Sequence, residues 1–342
     1  MQIEHNISLL PHNTFGMDVL ADTIVSYDNA EELSELVRNG KKELPLPLLH
    51  IGEGSNLLFM HDFPGTVLLS RIRELSVLEQ GNGHVIVKVG AGWNMDRFIA
   101  YSLEHGWYGI ENLSKIPGQV GASAVQNIGA YGVEAGDYIS AVNCVSLEDG
   151  TVRRFSHDEC NFAYRHSIFK EEEYRGKYAV CSVEYRLDLA FKPQLNYGGI
   201  RQKLVAIGKE PDNLTALELR DIIINIREEK LPDPHVLGNA GSFFMNPVVD
   251  RSVSKRLLLQ YPDMPRYDVD GGHVKIPAAW LIEQSGWKGK SLGRVGVHVN
   301  QPLVLVNLGG ATGTEVNLLS DRIINDVFEN FGIRISPEVN FI

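Results

Sequence analysis

Cysteine is scarce in this chain of 342 residues: Cys144, Cys160 and Cys181 are the three present, and no Cys-x-x-Cys spacing joins them. An odd count without metal-ligand spacing excludes a disulfide framework and a zinc site, and it fits a reducing cytoplasm. The 11 histidines include no His-x-x-x-His pair, so no metal is expected. Long apolar runs are missing as well, since none approaches the roughly eighteen residues of a membrane span. Residues 1–15 offer no basic stretch, and Ile7–Leu10 is too short for the apolar core of a signal peptide. Positive charge is in deficit, with 32 Lys and Arg against 43 Asp and Glu and a net charge of −11. That balance argues against a nucleic-acid binder, which normally carries a basic patch or stripe. These absences leave a cytoplasmic protein with no membrane and no nucleic-acid partner. An anionic small molecule would have to be held by a few placed cations and backbone amides.

What is present is an ordinary globular composition, 44% hydrophobic and 22% charged, over a length that suits two or three domains. The first segments read as a β-α-β unit. A strand at Asp22–Tyr27 leads to a helix at Asn29–Asn39, capped by Asp28 or Asn29 and stopped by Gly40, and then to a strand at Leu46–Ile51. Short β-branched strands follow at Thr66–Ser70, Val85–Val89, Val142–Leu147, Val152–Phe155 and Ala179–Leu187, with one helix among them at Asn94–His105. Polar Gly208–Asn213 marks a boundary. Beyond it Thr215–Glu229 is a helix with a Thr215/Glu218 capping box and a core stripe of Leu219, Ile222, Ile223 and Ile226. Helices at Ser252–Gln260, Pro277–Gln284 and Thr314–Phe331 then alternate with strands at Leu303–Leu308 and Ile333–Phe341. The fold class expected is α+β.

Two glycine-bearing stretches stand out. Ile116–Glu134 (IPGQVGASAVQNIGAYGVE) holds Gly118, Gly121, Gly129 and Gly132 and a single charge, Glu134. Glycine permits positive φ and close approach of backbone to a ligand, so the stretch suits either a flat hydrogen-bonding ligand or a tight core crossover. Gly52-Glu53-Gly54-Ser55-Asn56 supplies only the first half of a G-x-G-x-x-G fingerprint, and the short apolar Leu57–Phe59 after it disfavours a Rossmann helix. Its consecutive amides form either an anion-binding nest or a hairpin turn.

Seven segments in order carry a resemblance: HNTFG (12–16), GEGSN (52–56), the 116–134 stretch, YRHSIFK (164–170), KLPDP (230–234), NAGSFF (239–244) and PEVNFI (337–342). Together they resemble the UDP-N-acetylenolpyruvoylglucosamine reductase (MurB) family of peptidoglycan precursor synthesis. The resemblance implies a two-subdomain FAD-binding fold of the vanillyl-alcohol-oxidase type, residues 1–66 and 67–212, with the final strand 333–342 near the first. A C-terminal α+β substrate-binding domain, 213–332, completes it. It also implies noncovalent FAD, NADPH as co-substrate, and a small-molecule substrate whose enolpyruvyl ether is reduced. Related oxidases tether flavin through a His or Cys beside the first glycine loop, and GEGSN holds neither.

The same resemblance assigns FAD contacts to Gly52, Glu53, Gly54, Ser55, Asn56 and Leu57, and to Ile116, Pro117, Gly118, Gly121, Ala122, Ser123, Gln126, Asn127, Gly129, Ala130, Tyr131 and Gly132. Three other polar residues sit in odd settings: Arg165 among aromatics, Ser242 beside small residues and two phenylalanines, and Glu338 in a strand-like alternation. Read singly, each suits a structural ion pair, a cap or a solvent-facing position. The family match makes them catalytic. Arg165 would bind the substrate carboxylate with its planar fork. Ser242 would give the proton after hydride has arrived from the flavin, and Glu338 would partner the charge that develops. Tyr164, Tyr197, Lys230, Asn246 and Gln301 become substrate contacts, and LNYGG around Tyr197 marks the subgroup that closes a tyrosine-bearing loop. Lys230 alone reads more often as a solvated helix-end lysine. One departure is Met245, where the family commonly has a lysine. A non-catalytic sugar-nucleotide sensor and a flavoprotein oxidising a sugar or alcohol are the competing readings.

Overall fold

The computed structural model describes residues 1–40, 44–197 and 199–342. By contact the chain forms two compact units, one of residues 1–7, 21–53 and 64–229, the other of residues 8–20, 54–63 and 230–342. The first unit therefore continues through Gly208–Asn213 to Glu229.

Among the described residues the first unit holds two larger sheets besides the short hairpin Gly129–Ala130/Val133–Glu134. In the four-stranded one the order is Gln2–Ser8, Leu20–Tyr27, Phe63–Ser70, Leu48–Ile51, and the last two strands run parallel. The helix expected between the second and fourth of these forms as α1 (Ala30–Glu35), and its cap is Asn29, which accepts from the Glu32 amide at 2.9 Å. A π-helical turn, Leu36–Gly40, extends it. Leu33, Leu36 and Val37 bury themselves against Tyr27, Leu68, Val145 and Cys181. The second sheet is antiparallel, with the order Val152–Ser156, Ile139–Ser146, Tyr178–Asp188, His84–Gly90, Leu75–Gly81. Strand Tyr178–Asp188 is buried along most of its length, as expected of a strand in the middle of the sheet. Over this sheet lies α2 (Met95–Glu104), capped by the Asn94 side chain, with Phe98, Ile99 and Leu103 in the core beside Val85, Val87 and Tyr185.

Among the elements not foreseen are three in the first unit. Gln2–Ser8 and Leu75–Gly81 are mostly exposed edge strands whose polar alternation gives little periodic signal. The third is α3 (Val120–Gln126), a short helix inside the glycine-rich stretch, built from residues too small to show a period. After a further short helix, α4 (Ile200–Ala206), comes α5 (Ala216–Lys230) with its Thr215/Glu218 capping box in place. Its stripe of Leu219, Ile222, Ile223 and Ile226 packs on Leu195, Ile200 and Leu204.

The second unit carries two three-stranded sheets, Val248–Asp250/His273–Lys275/Tyr267–Val269 and Ser291–Leu292/Val295–Val297/Leu305–Asn307. Helices α6 (Arg251–Leu258), α7 (Ala278–Gln284) and α8 (Gly313–Phe331) accompany them. The long α8 starts at a Thr312/Glu315 capping box, ends at left-handed Gly332, and buries Val316, Leu319, Ile323, Val327 and Phe331. The strand expected over Ile333–Phe341 is corrected: only Asn340–Phe341 is strand, paired parallel with Leu57–Leu58. Pro337 has no N–H to extend the ladder, so it makes a single bridge with Phe244. Phe15, Phe243, Phe244 and Phe341 form an aromatic cluster beneath. Cys144, Cys160 and Cys181 are free and buried, and among the described residues no helix is long and apolar enough to cross a membrane.

Candidate active site

In the first unit, Glu53 fastens one glycine segment to the other. Its carboxylate accepts from Asn94 Nδ2 at 2.8 Å and from the Gly118 amide at 3.0 Å. The Met95 amide donates back to the Gly118 carbonyl at 3.0 Å, so the start of α2 and the Ile116–Gly118 turn form one bonded unit. Gly52 packs against α3: a Cβ there would lie 3.2 Å from Gln119 Oε1 and 3.6 Å from the Ala122 methyl. Several side chains expected to face a ligand are engaged within the protein. The Ser123 hydroxyl is buried, donating to the Val120 carbonyl and bonded to the Tyr185 hydroxyl at 2.6 Å. Asn127, left-handed at φ 43°, donates to Glu134 Oε2 and the Ala163 carbonyl and accepts from the Gly136 amide. Gln126 accepts from Lys170 Nζ at 3.0 Å. For Ser123 and Asn127 the sequence signal marks framework as much as ligand contact.

The segment Gly129–Gly132 is gripped from several sides. Arg165 itself sits at φ 54° and donates from Nη2 to the Gly129 carbonyl at 3.0 Å. Its guanidinium lies 5.6 Å from the centre of the Tyr164 ring, and Lys170 Nζ donates to its carbonyl at 2.8 Å. Gly129 cannot become larger without displacing a neighbour, since a Cβ would stand 3.0 Å from Glu134 Cγ and 3.2 Å from Arg165 Nη1. Ala130 pairs with Val133 across the turn. Buried Asn112 donates to the carbonyls of Tyr131 and Gln194, both at 2.9 Å, and so ties this segment to the base of the LNYGG loop. Tyr197 in that loop packs its ring within 3.2 Å of where a Gly132 Cβ would be, and stays 48% exposed. Gly198 of LNYGG lies outside the described residues. Two residues missed by sequence reasoning belong here, Asn112 and Arg227, and the Tyr131 hydroxyl is hydrogen-bonded to Arg227.

The second unit brings Ser242 and Glu338 onto neighbouring backbone segments joined by hydrogen bonds. The Glu338 amide donates to the carbonyl of Phe243, the residue after Ser242, at 2.8 Å, and the Met245 amide donates to Ser336 at 2.9 Å. Asn239 fixes the turn before Ser242. It is buried, its Oδ1 accepts from the Gly241 amide at 2.9 Å, and its main chain bonds Thr14 on both sides. The bends follow from Gly241 at φ 67° and Gly54 at φ 64°, and a Cβ on Gly54 would lie 2.1 Å from the His12 carbonyl. Asn56 Nδ2 donates to the Glu338 carbonyl at 3.2 Å, and the Asn340 amide donates to the Asn56 carbonyl at 3.0 Å. Ser55 and Leu57 flank Asn56 in that turn. Asn246 Oδ1 accepts from the Ala278 amide at the start of α7, Gln301 Oε1 accepts from Leu303, and Lys230 is the exposed last residue of α5. Among the described residues no group of three His, Cys, Asp or Glu is arranged to hold a metal ion.

This donor set suits FAD. It offers backbone amides, hydroxyls, amide side chains and guanidinium groups, while the carboxylate of the first turn, Glu53, is taken up by Asn94 and Gly118. Residues 233–342 match the family model described as UDP-N-acetylenolpyruvoylglucosamine reductase, C-terminal domain, and residues 21–156 match an FAD binding domain. A UDP-N-acetylenolpyruvoylglucosamine reductase of Bacteroides fragilis is 49% identical over 99% of this chain and 100% of its own. The chain belongs to the UDP-N-acetylenolpyruvoylglucosamine reductase family. Relatives of the same name from Porphyromonas gingivalis, 45% identical over all of both chains, and Pseudomonas aeruginosa, 43% identical over 99% of each, extend the likeness. The solved structure of the MurB of Thermus caldophilus shares the fold, with a TM-score of 0.67 at 22% identity over 100% of this chain and 99% of that one. The α+β class and the FAD-binding fold with a MurB C-terminal domain are thereby met, and the chain is a flavoprotein oxidoreductase of this family.

Proposed function

We propose that this chain reduces the enolpyruvyl ether of UDP-N-acetylenolpyruvoylglucosamine to UDP-N-acetylmuramate, in the cytoplasm, with FAD held noncovalently and NADPH as the reductant. Bound FAD supplies the hydride, passed from NADPH to the enolpyruvyl methylene carbon. Residues 1–66 and 67–212 serve the cofactor and 213–332 the substrate. Arg165 binds the substrate carboxylate, where its permanent charge and planar fork match a group that gains negative charge. Ser242 gives the proton to the carbon beside that carboxylate, and Glu338 stands by the developing charge. Tyr164, Tyr197, Lys230, Asn246 and Gln301 hold the rest of the nucleotide sugar.

The observation that carries this reading is the adjacency of Ser242 and Glu338, fixed by the bond from the Glu338 amide to the Phe243 carbonyl, in a chain similar from end to end to reductases of that name. The test is the spectrum of the purified protein followed by NADPH oxidation with and without the enolpyruvyl nucleotide. A yellow protein that releases FAD on acid precipitation and oxidises NADPH only with the nucleotide is the expected result. A protein that takes up no flavin, or consumes NADPH equally without the nucleotide, overturns it.

A further inference from the structure

We infer that Lys170 is the positioning residue for Arg165: its ammonium group braces the strained backbone from which that guanidinium is presented. The inference rests on the function just given, in which Arg165 meets the substrate carboxylate.

Arg165 occupies a costly place in the chain. Ala163 and His166 exchange both of their backbone bonds, at 3.2 and 2.9 Å, so Tyr164 and Arg165 form a two-residue turn between them. The second position of that turn, Arg165, is left-handed at φ 54°. Glycine or asparagine is usual there, because a longer side chain is strained in that conformation. An arginine in such a place is explained by what its side chain does, and strain of this kind persists only where the surroundings hold it. The two bonds of Ala163 and His166 fix the ends of the turn and leave the Arg165 carbonyl to another partner.

Lys170 supplies that partner. Its Nζ donates to the Arg165 carbonyl at 2.8 Å and to Oε1 of Gln126, the last residue of α3, at 3.0 Å. The first bond fixes the rotation of the peptide that follows Arg165, and the second ties it to a helix. The lysine is itself well placed. Ile168–Lys170 is a single 3-10 turn, the Phe169 ring is buried 5.2 Å from that of Phe155, and Ser167 Oγ donates to the Val125 carbonyl at 2.7 Å. The YRHSIFK run therefore carries the group to be aimed and, five residues on, the group that aims it. A lysine that only covered surface would extend its ammonium into water. This one directs two of its three N–H donors to a backbone carbonyl and an amide of the protein.

The experiment uses the FAD-loaded enzyme as wild type, Lys170→Met, Arg165→Ala and the double variant, with thermal melts to check folding. Reoxidation of the reduced flavin by the enolpyruvyl nucleotide is followed by stopped-flow. Lys170→Met removes both hydrogen bonds at similar side-chain length, and reoxidation should slow roughly tenfold or more, the scale of bonds made by a charged group. In the Arg165→Ala background the same change should add little, since no guanidinium is left to aim. An unchanged rate in Lys170→Met overturns the inference. So does an equal loss in both backgrounds, which a lysine that merely steadied the loop would give. Should Lys170→Met not fold, Lys170→Gln, which keeps a donor without the charge, enters the same cycle, and the same two results overturn the inference. A wild type that binds no FAD, or whose reduced flavin the nucleotide does not reoxidise, sinks the function and this inference together, whereas an active wild type with an unaffected Lys170 variant sinks this inference alone.

Discussion

Ser242 is held by its neighbours on both sides, with Gly241 bent at φ 67° onto buried Asn239 and Phe243 anchored in the aromatic cluster. If it is the proton donor, Ser242→Ala leaves reduction of the flavin by NADPH near wild type, since that half-reaction needs no proton at the substrate carbon. Reoxidation by the enolpyruvyl substrate slows by about 10² or more, the scale of a lost general acid. Cysteine, with its lower pKa, recovers part of the rate. Stopped-flow measurement of each half-reaction decides it, and equal slowing of both points instead to a disturbed flavin pocket. At this scale the sequence singles out Arg165, Ser242 and Glu338 as polar residues in odd settings. Arg227 hid because Arg-Glu-Glu-Lys at a helix end looks solvated. Its position four residues after Ile223, on the flank of the buried stripe, was the available signal.

Between elements, two carboxylates act as fasteners, and each yields a test. Glu53→Ala strips the acceptor from both the Gly118 amide and Asn94 Nδ2. FAD should be released more readily on dilution, by roughly tenfold or more in dissociation constant, the scale of losing hydrogen bonds to a charged group. Flavin retention equal to wild type would show that the Ile116–Gly118 turn keeps its place without Glu53. Asp96, in the first turn of α2, is the second fastener, reaching Arg220 on α5. Burial raises its pKa, but the bonds from Arg220 and the Lys115 amide outweigh that and hold the carboxyl below its ordinary range. A lowered folded pKa means that this stability is fully present above the unfolded value of about 3.9 and fades as pH falls through the folded one. Asp96→Asn should therefore cost about 1–3 kcal/mol in denaturant melts at neutral pH, with the gap to wild type narrowing in acid. A gap that does not change with pH would assign the loss to packing. Helices with a strong apolar stripe, α2, α5 and α8, were legible to within two residues because burial imposes the period. By contrast α3, all small residues, and the partly unpaired Ile333–Phe341 segment were decided by backbone contacts that no periodicity encodes.

For the molecule as a whole, the chain passes repeatedly between its two units, and the GEGSN turn is divided between them at Glu53 and Gly54. Composition signals alone do not reveal such a crossing. The three cysteines have a practical consequence. All lie in the core of the first unit, where burial raises the Cys144 thiol well above its ordinary range and pushes Cys160 and Cys181 up to about 12. Thiolate is the reactive form, so a maleimide or disulfide reagent at neutral pH should leave the native protein unlabelled and modify three sites once it is unfolded. Mass spectrometry counts the adducts, and any native labelling would mean that a strand bearing one of these thiols opens readily. The wild type is then already a silent background for site-specific labels. A single cysteine in place of Val205, 80% exposed on the helix that follows the Tyr197 segment, takes a fluorophore without prior removal of the native three, and a change in its emission when nucleotide is added would report movement there.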